Sequence, residues 1–338
     1  MKLPGNFHRV VLSGPKSEIG ASKIIARPIL LKGARKIQIE EIKNNQAFHI
    51  NLDAAGAEKY LTRKENNFSH KNIMGGRPGL SHDKIKNHLL RDGVVCPPLV
   101  RLGVMDGEGR VFKASMAKFV QINNFLGILA DAAKNLPAGK RIEIVDFCCG
   151  KSYLTFVVHY FFSEILKRPA RITGIDAKAG VIENCASIGR DLECGNLNLV
   201  ADDINNFDPG HKIDIALSLH ACDTMTDVVL KKAVALGASV ILAVPCCHKQ
   251  LAGQIQNRDL GFILRYGLLR ERFAAILTDA LRAEWLRTEG YRADVLEFVD
   301  FLSSPKNVMI RAIKTGVGAK SDIRQTAGKF CAEPEILK

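Results

Sequence analysis

The sequence contains no G-x-G-x-x-G, the glycine fingerprint that most dinucleotide-binding turns place between a strand and a helix. No apolar run comes near the 18 residues of a membrane span, and the chain does not open on a basic stretch followed by an apolar one. Neither a bilayer helix nor a secretory leader is therefore expected. There is no C-x-x-C pair, which argues against a zinc finger or ribbon built on that spacing. The nine cysteines include two adjacent pairs and follow no disulfide-framework spacing, so reduced thiols and a cytoplasmic location are expected.

What is present is a chain of 338 residues, 47% apolar, enough for one large core or two domains. Its net charge is +13, unevenly spread. Residues 1–140 hold 23 Lys and Arg against 11 Asp and Glu; residues 141–338 hold 25 against 24. A basic region of this kind fits a polyanion, nucleic acid above all, or else is merely a soluble basic surface. Aromatics in the most basic stretch are few: Phe7, Phe48, Tyr60 and Phe68. Recognition of backbone and shape is thus favoured there over stacking on single-stranded bases.

The stretch around which the rest is arranged is RIEIVDFCCGKSYLTF, Arg141 to Phe156. Ile142, Ile144 and Val145 predict a buried strand that ends at Asp146. The turn Phe147–Lys151 follows, and Ser152 is placed to cap a helix from Tyr153 to about Leu166. A strand, a glycine-containing turn and a helix make the first unit of a nucleotide-binding α/β fold, because the helix N-terminus offers free N–H groups. Methyltransferases that use S-adenosylmethionine (AdoMet) usually carry an acidic residue followed by G-x-G-x-G. Here Asp146 supplies the acid and Gly150 the middle glycine, while Cys148 and Ser152 stand at the outer two positions. Taken alone, that frame equally fits a structural turn.

Before it, Val10–Leu12, Lys23–Leu31, Arg35–Ile42 and Gln46–Leu52 predict a small β-rich domain. Residues 1–80 are read as that basic domain and its linker, with a short helix over Lys84–Leu90. Residues 81–140 are read as a connection: a hairpin from Val94–Leu102 and Arg110–Lys113, then a helix over Met116–Leu136. The helix has Phe119, Ile122, Phe125, Leu126, Leu129 and Ala133 on one face, and is expected to cover the cofactor pocket. Strands and helices then alternate through residues 141–314. The last two strands, Val295–Phe301 and Asn307–Ile313, are too close in sequence to pair other than antiparallel. The expected fold is α/β: a seven-stranded, mostly parallel, Rossmann-like methyltransferase sheet, with residues 315–338 as a tail.

Ligands of such a sheet lie at the carboxyl ends of its strands. Asp146, Asp176 and Asp203 end the first three, and Ile204 follows. Asp176 is placed to accept ribose hydroxyls, Asp203 an adenine amino group, and Ile204 to pack on the adenine. With Cys148, Gly150, Ser152 and Leu219 they form the expected AdoMet-binding set. A preference for Asp as a helix cap would also produce such a row.

The loops after the fourth and fifth strands read SLHACDTMTD and VPCCHKQL. With DFCCGKSYLTF, ERFAAILTDALRA and the closing EFVD and SPKNVMIRA, they resemble a little-studied family of AdoMet methyltransferases. Its bacterial members read close to DFGCGKSYLTF, LHACDTATD and PCCxH. It is distantly similar to a tRNA 2′-O-methyltransferase. KFVQINNF, Lys118 to Phe125, is similar to the helix that precedes the family's first strand. The resemblance implies the fold and AdoMet, but not the substrate. Cys148 departs from the family's first glycine and stands where it could crowd the cofactor.

The Cys and His side chains of these loops admit four readings. They pack and satisfy local hydrogen bonds. His220 or Asp223 serves as a general base during methyl transfer. A thiol such as Cys246 attacks a base ring, as in RNA cytosine-C5 methylation. Cys149, Cys222, Cys246, Cys247 and His248 converge on zinc, although no metal is expected from their spacing. The Asn/Asp-Pro-Pro-Tyr loop of adenine amino-group methylation is absent. RNA, structured tRNA or rRNA, is the expected substrate and partner. A protein or small-molecule substrate, or an RNA-binding protein that keeps only the fold, are the alternatives.

Overall fold

The computed structural model describes residues 88–219, 221–298 and 307–338 in full, and the strand backbones 10–13, 23–31, 34–43 and 46–52. The chain divides into two compact units, Met1–Lys86 and Asn87–Lys338. In the first unit, β1 (Val10–Ser13), β2 (Lys23–Leu31), β3 (Ala34–Lys43) and β4 (Gln46–Leu52) pair in sequence order, each antiparallel to the next. Only Lys32 and Gly33 separate β2 from β3, and Asn44 and Asn45 separate β3 from β4. Links so short leave a hairpin as the only pairing.

The second unit is built on β5 (Ile142–Phe147), β6 (Ala170–Asp176), β7 (Leu197–Ala201), β8 (Ile215–Leu219), β9 (Val240–Val244), β10 (Tyr291–Glu297) and β11 (Val308–Lys314). Their order across the sheet is β10-β11-β9-β8-β5-β6-β7. Strands β5 to β9 pair in parallel, and β11 lies antiparallel between β9 and β10. This is the expected seven-stranded Rossmann-like methyltransferase sheet. Its helices include α1 (Met116–Ala133), α2 (Tyr153–Tyr160), α3 (Ala179–Asp191), α4 (Thr224–Ala235), α5 (Lys249–Gln254), α6 (Gly267–Thr288) and α7 (Ile323–Gly328).

Central strands covered on both faces must be apolar at nearly every position. In β9 all five residues of VILAV are buried. Alternate residues serve opposite faces. Ile144, Leu217, Leu242 and Val244 meet Phe119, Phe125, Leu126 and Leu129 of α1. Val145, Ala216, Ile241 and Ala243 meet Val229 and Leu230 of α4 and Ala274 and Leu281 of α6. The helical face of α1 is thus the one its spacing predicts, packed on the sheet.

Four local expectations are corrected. Val94–Leu102 does not form half of a hairpin: Pro97 and Pro98 open a helical turn over Pro97–Arg101, where a missing N–H costs nothing, and one bridge, Met105 to Val111, remains. Of the helix expected over Lys84–Leu90, residues 88–90 are not helical and the rest lies outside the described residues. The strand expected at Val295–Phe301 begins earlier, at Tyr291, directly after Gly290 turns the chain at φ +85°. Residues 315–338 are no tail. Ile323, Ala327, Ala332, Ile336 and Leu337 are buried in the cluster that holds α4 and α6, and Lys231 Nζ donates to the Glu335 carbonyl at 2.8 Å.

Arg282 of α6 is 1% exposed. Its Nε and Nη2 fork onto the two carboxylate oxygens of Asp227 in α4 at 2.9 and 2.8 Å. Nη1 reaches Asp279 at 3.2 Å, and Nη2 also reaches the Asp223 carbonyl at 2.8 Å. Burial alone would lower the guanidinium pKa, but Asp227 and then Asp279 outweigh it and raise it further. Arg272, ten residues earlier on α6, is exposed and outside this network. Arg282→Met would leave two acids buried without their cation, and removing one member of such a group costs about 3–5 kcal/mol. Urea unfolding is expected to show a loss of that size; a loss below about 1 kcal/mol would mean that the network stabilises little.

Candidate functional site

The sheet order reverses at β5: β6 and β7 extend to one side, β8 and β9 to the other. The crevice at the carboxyl ends there is the usual ligand position of an open α/β sheet. The turn that closes β5 holds Cys148, Gly150 and Ser152 at φ 55°, 52° and 52°. Only glycine takes that conformation without cost, so two side-chain-bearing residues are strained there. The turn is anchored by Cys149 N donating to the Ile175 carbonyl at 2.9 Å. Gly174 permits the approach: a Cβ there would sit 2.7 Å from Leu199 Cδ2 and 3.2 Å from Cys149 Sγ.

Ser152 departs from both of its expected roles. Its hydroxyl makes no cap bond and donates instead to Cys149 Sγ at 3.3 Å, fully buried. It therefore has no surface to offer a ligand. Asp176, half-buried, accepts Gly150 N–H at 2.9 Å on one oxygen and Lys178 N–H at 3.1 Å on the other. Its carboxylate is thereby fixed against the glycine turn before any ligand arrives.

Asp146 is buried and accepts from Thr155 Oγ1 at 2.7 Å, a partner that the sequence did not single out. Burial pushes its carboxyl up to about 7; the Thr155 bond opposes the rise and the Asp176 charge adds to it. Asp203 is exposed and its Oδ1 accepts from both nitrogens of Asn205, at 2.8 and 2.9 Å. Ile204 is buried beside Phe207 and Phe147, whose rings meet edge to face at 6.4 Å. Cys148 is half-buried, its thiol pushed up to about 12 by burial and then by Asp176, Asp146 and Cys222. Leu219 ends β8, half-buried.

His220 lies outside the described residues. Asp223 follows at φ 52°, ψ −121°, another costly conformation for a residue with a Cβ. Its Oδ1 accepts from Gln250 N–H at 3.1 Å and its carbonyl is held by Arg282, so it ties the two loops together. His248 Nε2 lies 2.9 Å from Asp279 Oδ1, the carboxylate that Arg282 also touches. This His–Asp–Arg chain was missed in the sequence as a unit. Asp279 and Arg282 stand three residues apart on one helix, but His248 stands 31 residues upstream of Asp279.

Of the five side chains grouped as metal ligands, the structure brings three together. The sulfurs of Cys222, Cys246 and Cys247 all lie within 4.8 Å of one another. Cys149 and His248 are engaged elsewhere. The Cys246 thiol is pushed up to about 12 by burial and by its bonded thiol neighbours Cys222 and Cys247. A thiol so protonated at neutral pH is a poor nucleophile, which weakens the base-attack reading.

Residues 117–254 match the model of a family described as a methyltransferase domain, a span that includes the glycine turn and both cysteine loops. Human and mouse glutathione S-transferase C-terminal domain-containing proteins are 27% and 28% identical over 143 residues, 42% of this chain. The match spans about a fifth of those relatives, 20% of their length. Among solved structures, magnesium protoporphyrin IX methyltransferase from Synechocystis PCC 6803, with bound SAH, is 12% identical at TM-score 0.37, covering 64% of this chain and 92% of that one. An rRNA methylase from Streptococcus thermophilus is 14% identical at TM-score 0.37, covering 56% and 95%. The Asn87–Lys338 unit has the strand order of the expected sheet, and residues 117–254 within it are similar to the methyltransferase-domain family.

Proposed function

We propose that the chain is an AdoMet-dependent methyltransferase acting on RNA. The observation that carries the first half is the Asp176 carboxylate held against the Gly150 turn at the sheet's reversal point. Each oxygen keeps lone pairs beyond its backbone bond, suited to a pair of ribose hydroxyls. Asp203 and Ile204 extend the site toward an adenine, and Asp146 gives it a buried acid toward the cationic end of the cofactor. AdoMet supplies an electrophilic methyl group on a sulfonium. A substrate hydroxyl or amine must lose its proton as it accepts that methyl. His248 is the base we favour, because Asp279 fixes its Nε2 and leaves Nδ1 as the nitrogen that takes the proton. Asp223 has one oxygen committed to Gln250.

RNA is supported by charge. Residues 1–86 carry 16 Lys and Arg against 7 Asp and Glu. A metabolite substrate would require no such excess, whereas several phosphates would.

Three expectations follow from this reading. Isothermal titration should find one AdoMet site, weakened by about 1–3 kcal/mol in Asp176→Asn through loss of charge-assisted bonds; NADH binding without a response to AdoMet would overturn the assignment.

The raised Asp146 carboxyl also gives pH dependence a sign. The folded chain holds this proton more tightly than the unfolded one between the ordinary 3.8 and about 7, so unliganded stability falls as pH rises through that interval. A cationic ligand favours the carboxylate. AdoMet affinity should therefore fall by up to about tenfold per pH unit below 7, and Asp146→Asn should flatten that dependence.

Methyl label offered to pools of total RNA, protein and small molecules should enter RNA. Affinity of the full chain for that RNA should drop about 10- to 1000-fold between 50 and 200 mM salt. Label in protein or metabolites alone, or a flat salt response, would remove RNA as the substrate.

A further inference from the structure

We infer that Cys222, Cys246 and Cys247 form a three-thiolate site for a thiophilic divalent cation of the zinc type, with its fourth place open. Cys222 Sγ lies 3.5 Å from Cys246 Sγ, and Cys246 Sγ lies 3.7 Å from Cys247 Sγ. A tetrahedral zinc with bonds of about 2.3 Å sets its sulfurs about 3.8 Å apart. Two of the three sulfur edges are thus already near the length that such an ion requires, and the third is within 4.8 Å.

The three thiols come from two loops, one after β8 and one after β9, and the loops are clamped. Arg282 Nη2 donates to the Asp223 carbonyl, one residue past Cys222. Gln250 N–H donates to the Asp223 carboxylate and so joins the second loop to the first. His248, the residue after Cys247, is held by Asp279. Thr226 Oγ1 donates to the Ala221 carbonyl at 2.7 Å, on the other side of Cys222. A metal therefore meets ligands whose backbones are fixed before it binds. A divalent cation binds the three as thiolates and releases their protons to solvent.

Cys222 is exposed while Cys246 and Cys247 are half-buried, so the cluster opens to solvent on one side. A three-thiolate site that is open on one side resembles catalytic zinc more than structural zinc, which is closed by a fourth protein ligand. The open place would take water or a substrate atom at the carboxyl ends of β8 and β9. The inference rests on sulfur geometry and stands whether or not the methyltransferase reading holds.

Cobalt(II) titration of the full chain, kept reduced and free of metal, reads the site directly. One equivalent is expected to bind with thiolate-to-cobalt charge-transfer absorption and the intense visible bands of a tetrahedral ion, displaced by one equivalent of zinc. Affinity should rise with pH, up to about a thousandfold per unit if three protons leave. Cys222→Ser, at an exposed position, should weaken binding at least tenfold and reduce the charge-transfer band, with an unchanged circular-dichroism melt of the metal-free protein. Cys331→Ser, at another exposed cysteine, should leave binding unaltered. Absence of the thiolate band, binding indifferent to Cys222→Ser, or equal loss in Cys331→Ser would each overturn the inference.

Discussion

The candidate site depends on a buried guanidinium. Arg282 reaches Asp227 in α4, Asp279 in its own helix and the Asp223 carbonyl, so one side chain fixes two helices and the loop between β8 and α4. Removing an isolated charge from water is prohibitive; here the bidentate fork to Asp227 and the further acceptors offset it. Lysine could not do the same, since a point charge lacks the planar fork. Replacing the group by a packed apolar cluster could hold the helices together equally well. What it would lose is direction. The Asp279 carboxylate bonded to Arg282 also orients His248, and the Asp223 carbonyl bonded to Arg282 sets the turn that presents Cys222.

Backbone strain also marks the carboxyl ends of two strands. Cys148, Ser152 and Asp223 all adopt positive φ with a side chain attached. Each such residue costs on the order of 1–3 kcal/mol and persists only where its surroundings over-determine it. At Cys148 and Ser152 these surroundings are the bonds of Cys149 to Ile175 and of Gly150 to Asp176. At Asp223 they are Gln250 and Arg282. Among the described residues three of the six side-chain-bearing residues at positive φ thus stand at the turns after β5 and β8, which flank the reversal of the sheet; Lys167, Glu193 and Cys331 lie elsewhere.

The sheet was legible because its signals are local. VILAV in β9 is buried on both faces and reads as an unbroken apolar run, and the β6 to β7 alternation is bounded by turn residues. The β10 boundary was not legible, because an edge strand such as YRADVLE mixes exposed and buried positions and lacks an apolar run. Residues 315–338 misled for a related reason: Ile323, Ala327, Ala332 and Ile336 are few and widely spaced, and their burial depends on α4 and α6, far away in sequence. The placement of Asp146 and Asp176 near strand ends, and of Gly150 in the turn after β5, was legible. The direction of a hydroxyl was not, and Ser152 turned inward to a thiol. Nor could the sequence bring Arg282 to Asp227, 55 residues apart, or choose three cysteines out of nine.

The basic excess and the strand-end acids lie in different parts of the chain. Asp146, Asp176 and Asp203 stand at three successive strand ends of the second unit, and such a row attracts a cation and repels a polyanion. A phosphate backbone would therefore be held off by the acids that suit a sulfonium. If the substrate is RNA, its phosphates must be bound by charges outside this row, and only the target group should enter it. Of the two regions, the one before residue 141 has the excess to do so, 23 basic residues against 11 acidic. The near balance after it, 25 against 24, leaves the acids of the site unopposed by a wider basic field. The chain thus places its basic excess before residue 141 and its row of strand-end acids after it, so one surface cannot serve both a cation and a polyanion.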